Sequence, residues 1–227
     1  MSDANAERDH VAVWDWPVRV VHWAIAILVA ALLTTGLIGD EWLVWHMRFG
    51  QVLLALLIFR VLWGFVGSAN ARFASFLRGP RAVFDYARSL IRPPHHLHAT
   101  HNPLGGWMVI VLLVVLLVQA TTGLFTNDDV LYEGPLVKLI TKDLSDAIGS
   151  WHRRLWWVIV VFASIHIIAV IVYFARLGDN LVVAMVSGEK VLPTKMHRAQ
   201  DAVASTPLAL ILLALSAMAV WWVCYRL

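Results

Sequence analysis

Four of the ten histidines, His22, His46, His152 and His166, lie within long apolar runs. An imidazole in hydrocarbon is costly unless it has a partner or a task, so each of the four marks a candidate functional position. His152 and His166 share one run and stand fourteen residues apart. With about 1.5 Å of rise and about 100° of turn per residue, an α-helix carries the second roughly 21 Å along the axis and returns it to within about 40° of the same face. One helix side therefore serves two depths. Trp156, Ile159 and Ala163 fall between the two histidines at helical spacing and complete an inward stripe. The chemistry these residue types suit is metal ligation. Neutral imidazole is a good iron ligand, and two of them at one depth hold the iron of a flat, apolar haem from both sides. Filling both axial positions leaves no vacant one, which suits electron transfer better than oxygen binding.

The elements that would position these residues are membrane helices. The chain has 227 residues, 60% hydrophobic and 15% charged, against a soluble norm of about 25% charged. Apolar runs at about 18–38, 42–66, 104–125, 151–175 and 207–225 are each long enough to cross hydrocarbon about 30 Å thick. They are apolar all round, whereas barrel strands would alternate over segments of about ten residues, so helices are expected. The first run follows a mixed acidic leader and lacks a small-residue cleavage signal; it reads as a retained anchor. The surplus of 18 Lys and Arg over 15 Asp and Glu is one-sided loop charge, with no nucleic-acid signature. The single Cys224 cannot form an internal disulfide, and no CxxCH motif is present for covalent haem attachment.

Orientation follows from the loops. Arg8 and Arg19, then Arg72, Arg78, Arg81, Arg88 and Arg92, then Arg176, Lys190, Lys195 and Arg198 lie on one side, while Lys138 and Lys142 face acidic company on the other. Positive charge stays inside, which places the amino terminus in the cytoplasm and the carboxyl terminus on the outer side. The loop over 72–92 repeats apolar residues at helical spacing and breaks at Gly79-Pro80, so an interfacial cytoplasmic helix or helix pair is expected there. The outward loop carrying Asp128, Asp129, Glu133, Asp143 and Asp146 is a landing place for a complementary partner.

On this topology His22 and His166 share the inner level, and His46 and His152 share the outer level. Two bis-histidine b-type haems are expected, stacked across the bilayer. Gly50, four residues from His46, would give a macrocycle room. Arg60, fourteen residues from His46, and Arg19, three before His22, could pair with haem propionates. For Arg60, snorkelling to the interface is an equal alternative. At the outer level, Arg48, Arg153 and Arg154 are read as interface residues. The connector histidines His95, His96, His98 and His101 are read as a solvated loop before a metal patch, and His10 and His197 as surface residues. For Gln119, Thr121 and Thr122, interhelical hydrogen bonding is the commoner role, with contact to a cofactor or quinone as the alternative.

At these residues the chain resembles the bacterial cytochrome b561 and nickel-iron hydrogenase cytochrome b superfamily of dihaem membrane cytochromes. The resemblance covers roughly 14–193 and rests on residues 14–23 (WDWPVRVVHW), 45–64 (WHMRFGQVLLALLIFRVLWG), 101–106 (HNPLGG), the paired histidines of the fourth helix and residues 185–190 (MVSGEK). It implies two non-covalent haems b in a four-helix core with ligands from helices one, two and four, pairing His22 with His166 and His46 with His152. The expected architecture is an all-α integral membrane protein: a dihaem domain over 1–193, then a linker and a fifth membrane helix over 194–227 that departs from the family's four-helix core and falls outside the resemblance. The implied function is electron transfer between the quinone pool and a periplasmic redox protein such as a c-type cytochrome or hydrogenase, as an electron-transfer cytochrome, a quinone/quinol oxidoreductase or a subunit of one. Association into a homo-oligomer or complex is left open. A superoxide:quinone oxidoreductase is the alternative of the same cofactor class. A haem-free transporter or proton relay is the alternative of another class, and it lacks the broken half-helices many transporters show.

Overall fold

The computed structural model describes residues 8–89, 100–193 and 204–226. In chain order the elements are strand β1 (Arg8–Ala12), helices α1 (Trp16–Ile38), α2 (Leu43–Val66), α3 (Phe73–Phe76), α4 (Pro80–Ser89), α5 (Pro103–Gly123), α6 (Lys142–Leu177) and α7 (Leu181–Ser187), strand β2 (Glu189–Pro193) and helix α8 (Thr206–Arg226). Five of them, α1, α2, α5, α6 and α8, are long and apolar enough to span a membrane. The expected spans recur within a few residues, except that α6 begins nine residues earlier, at Lys142. Its first turns are polar, with the Lys142–Asp146 pair at the i,i+4 spacing that favours helix. Gly79 and Pro80 separate α3 from α4, and proline at the first helical position loses no needed hydrogen bond. The histidines at 95, 96, 98 and 197 lie outside the described residues.

The chain divides into two compact units to which the long helices contribute segments. The first gathers Met1–Val20, Trp63–Ile110 and Ser164–Ala209; the second gathers Val21–Leu62, Val111–Ala163 and Leu210–Leu227.

The first unit is built around a buried carboxylate. Asp15, 3% exposed, caps α1 by accepting from Val18 N at 2.8 Å and also accepts from Trp63 Nε1 at 2.9 Å and Ser68 Oγ at 2.5 Å. Trp63 is fully enclosed beside it, and Phe76 is fully enclosed in the same unit. β1 pairs antiparallel with β2, with His10 opposite Val191, so the leader is partly a strand. This small sheet was not expected: its strands stand nearly the whole chain apart, and neither is long enough to carry a pattern of its own. Lys190 donates to Asp179 at 2.8 Å, a nearly enclosed ion pair. His10 lies at the surface, 3.4 Å from Glu189. His101 departs from the solvated-loop reading, because its ring packs against Trp14 and Phe76 with centroids 4.7 and 4.3 Å away. Asn102 caps α5 through Gly105 N at 2.8 Å and donates to the Tyr173 hydroxyl at 2.8 Å, and Tyr173 in turn meets Tyr86 of α4. Burial pushes the Tyr86 phenol above its ordinary pKa.

In the second unit, α2 and α8 meet at Leu54, Ala55 and Val220 with Leu124, just past the end of α5, and Leu136 of the loop between α5 and α6 completes the cluster. Tyr225 of α8 also donates to Gln51 of α2 at 3.0 Å. The loop is pinned at its base by Gly134 N to Thr126 O at 2.7 Å and by Ser145 Oγ to Phe125 O at 2.8 Å. Lys142 joins Asp129 at 2.6 Å and Asp146 at 2.9 Å. Val130 and Leu131 stand 80% and 78% exposed at its tip.

Candidate functional site

The second unit brings His46 of α2 and His152 of α6 together, their ring centroids 6.2 Å apart and their planes at 88°. Each ring is held from the last turn of another helix. His46 Nδ1 lies 3.0 Å from the Leu32 carbonyl and 3.3 Å from Thr35 Oγ1, both on α1. A carbonyl can only accept, so Nδ1 carries the hydrogen and Nε2 keeps the lone pair; the proton is assigned from this network. His152 Nδ1 lies 3.0 Å from Thr122 Oγ1 on α5. Thr122 donates its own proton to Gln119 O at 2.9 Å, so it too can only accept from the ring. Both imidazoles therefore carry a hydrogen on Nδ1, and Gln119 Nε2, a donor, lies 3.4 Å from His152 Nε2, which makes that nitrogen the acceptor of its ring. The second ring nitrogen of a metal-bound histidine is generally engaged in this way.

Two glycines make the approach possible. A Cβ at Gly36 would fall 2.9 Å from His46 Cε1, and one at Gly123 would fall 3.0 Å from His152 Cε1. Any side chain there would push the ring away. The predicted Gly50 is different: a Cβ would meet only Leu32 Cδ2, at 4.0 Å, and neither histidine ring.

A metal between two imidazoles, with bonds of about 2 Å as at zinc, sets the ring centroids about 6 Å apart; the observed separation agrees. Among the described residues there is no cluster of three or more His, Cys, Asp or Glu able to hold a metal ion. Two nitrogen ligands alone leave most of an octahedral iron's positions empty, and a four-nitrogen macrocycle supplies the rest. The donor set, the tautomers and the glycine clearances thus fit haem.

The other predicted residues lie as follows. His22 is half-buried in the second unit, edge-on to Trp23 with centroids 5.3 Å apart, and His166 is half-buried in the first. Arg60 is only 7% exposed, which disfavours snorkelling, since a snorkelling guanidinium keeps its head in water or headgroups. Arg19 donates from Nη2 to the Val186 carbonyl of α7. Arg48 stacks over Trp45 at 5.2 Å, and Arg153 and Arg154 are exposed. Gln119 and Thr122 do bond between helices, and their partner is His152 itself, with Gln119 Nε2 at 3.0 Å from the His152 carbonyl. Sequence reasoning passed over Thr35, Gly36 and Gly123. The signal that could have found them is a repeated tetrapeptide, Thr-Thr-Gly-Leu at 34–37 and again at 121–124.

The profile of the prokaryotic cytochrome b561 family matches residues 13–188. A probable Ni/Fe-hydrogenase B-type cytochrome subunit of Bradyrhizobium diazoefficiens is 27% identical, with 83% of this chain and 91% of that protein covered. A protein of the same description from Rhizobium leguminosarum bv. viciae is 29% identical, with 81% and 90% covered. One from Rhodobacter capsulatus is 25% identical, with 81% and 82% covered. No solved structure matches the chain.

Proposed function

The chain belongs to the prokaryotic cytochrome b561 family, and from that membership we propose that its membrane electron transfer through b-type haem runs over two haems, each held by two histidines. The observation that carries this reading is the His46–His152 pair, with both Nδ1 atoms engaged by short contacts and Nε2 of His152 met only at 3.4 Å, by Gln119 Nε2, a contact that iron at Nε2 would replace. Bound haem b supplies a one-electron carrier. The chain's part is to hold each iron from both sides, which keeps other ligands off it. His46 and His152 hold the outer haem, with Gly50 beside the space it needs. His22 and His166 hold the inner one, a pairing supported by their matched depths, with Arg60 and Arg19 as candidate partners for propionates.

The amino terminus lies in the cytoplasm, and electrons pass between quinone in the bilayer and a redox protein outside an inner membrane. That partner docks on the outward loop, where Asp128, Glu133 and Asp143 present negative charge and Val130 and Leu131 present apolar surface. The relatives' descriptions make a hydrogenase one such partner.

The test is haem content with a reduced-minus-oxidised spectrum of the purified protein. Two haems per chain, both reducible by added quinol, are expected. One haem per chain would refute the second bis-histidine site, and haem that no quinol reduces would refute the quinone link. Co-purification with a periplasmic redox protein, lost on replacing the loop acids by neutral residues, checks the docking.

A further inference from the structure

The two Thr-Thr-Gly-Leu segments stand in the last turns of α1 and α5, helices that supply no ligand at the outer level. They make the same contacts. In each, glycine leaves room for the Cε1 edge of one imidazole, and the threonine before it brings Oγ1 to Nδ1 of that ring. In each, the threonine proton is already committed to its own helix: Thr35 Oγ1 donates to Ala31 O at 2.8 Å, and Thr122 Oγ1 to Gln119 O at 2.9 Å. A hydroxyl whose proton is spent can only accept, so the nitrogen facing it must carry the hydrogen.

We infer that the repeated Thr-Gly pairs, Thr35-Gly36 and Thr122-Gly123, are positioning residues that form a duplicated cradle, selecting Nε2 as the ligating atom of both outer imidazoles and setting the potential of the haem they hold. This rests on the outer-haem reading of His46 and His152. An acceptor at Nδ1–H makes the imidazole a more basic ligand, which favours ferric over ferrous iron and lowers the potential. The two halves of the cradle are unequal. His46 also has the Leu32 carbonyl at 3.0 Å, whereas Thr122 is the hydroxyl on which His152 Nδ1 depends. Removing the Thr122 hydroxyl therefore shifts the potential more than removing that of Thr35.

The experiment is a redox titration of the α band, with low-temperature electron paramagnetic resonance, on the full-length haem-loaded protein and on Thr122→Val, Thr122→Ser and Thr35→Val. Thr122→Val is expected to raise one midpoint and leave the other in place. Thr35→Val should raise the same midpoint by less, and Thr122→Ser should match the parent. An unmoved pair of midpoints in Thr122→Val, or an equal shift of both, overturns the proposal. If Thr122→Val does not accumulate, Gly123→Ala decides. The resonance reads the angle between the imidazole planes, 88° here, and a changed signal from one haem alone supports the cradle, whereas two unchanged signals overturn it. A parent protein with no reducible b-type bands would instead refute the haem reading beneath it, so the two failures are distinct.

Discussion

Asp15 in the first unit and His152 in the second are both polar groups set among apolar neighbours, and they are treated in opposite ways. Both carboxylate oxygens of Asp15 are committed, to the α1 backbone, an indole and a hydroxyl, and the Trp63 ring that donates to it is fully enclosed. Each of the two imidazoles, His46 and His152, is held closely at Nδ1, with a longer contact of 3.4 Å from Gln119 at His152 Nε2, and a glycine in the last turn of α1 or α5 keeps a side chain from closing on the ring. Saturated polar groups in filled space hold a fold together, whereas imidazoles fixed closely at one nitrogen beside glycine clearances suit a ligand at the other. The contrast separates structure from function better than burial does, since His46 and His152 are less buried than Asp15.

The largest effect is expected from replacing one of the two histidines. His46→Ala or His152→Ala should abolish the outer haem, halving haem per chain in a pyridine haemochrome assay while the inner haem stays; loss of both from either variant would mean that the levels are not separate. Asp15→Ala should do the reverse. It strands the Trp63 and Ser68 donors, destabilising the chain by about 3 kcal/mol, while haem per folded chain holds at the parent ratio. Thermal unfolding in detergent alongside haem content checks this, and an altered ratio would place Asp15 in the site.

Within the second unit, Gly123→Ala forces the His152 ring to move and should cost about 1–3 kcal/mol with a changed Soret band, whereas Gly50→Ala meets only Leu32 Cδ2 at 4.0 Å among the chain's own atoms and should cost the haem-free protein under about 1 kcal/mol. Spectra of the two variants side by side decide whether clearance matters at one glycine more than the other. The smallest effects belong to the outward loop. Lys142→Ala removes exposed ion pairs and should cost under about 1 kcal/mol, less still in high salt.

Asp128 accepts from the backbone N–H groups of Tyr132, Val130 and Leu131 at 2.8, 3.0 and 2.9 Å, which hold its carboxyl below the usual range. Its folded pKa is the lower one, so its contribution is complete above the ordinary value of about 4 and fades as pH falls through the depressed one. Hydrogen exchange at those three amides should stay slow at pH about 4 and quicken below it.

Much of this protein was legible in its sequence because the signals are local. Span length and all-round apolarity specify membrane helices, and the fourteen-residue spacing of His152 and His166 specifies a shared face whatever surrounds it. The matched depths of His46 and His152 followed from alternating helix direction alone, and the structure brings these two rings together. The tertiary structure alone decided which nitrogen each outer imidazole presents, because that depends on whether a carbonyl or a spent hydroxyl from a third and a fourth helix lies against the ring. It also decided that Gly36 and Gly123, not Gly50, bear on the rings, that His101 lies between Trp14 and Phe76, and that Arg8–Ala12 pairs with Glu189–Pro193. Periodicity tells a residue which way to face along its own helix, but a hydrogen bond or a steric clearance is set by the atom opposite, and packing chooses that atom.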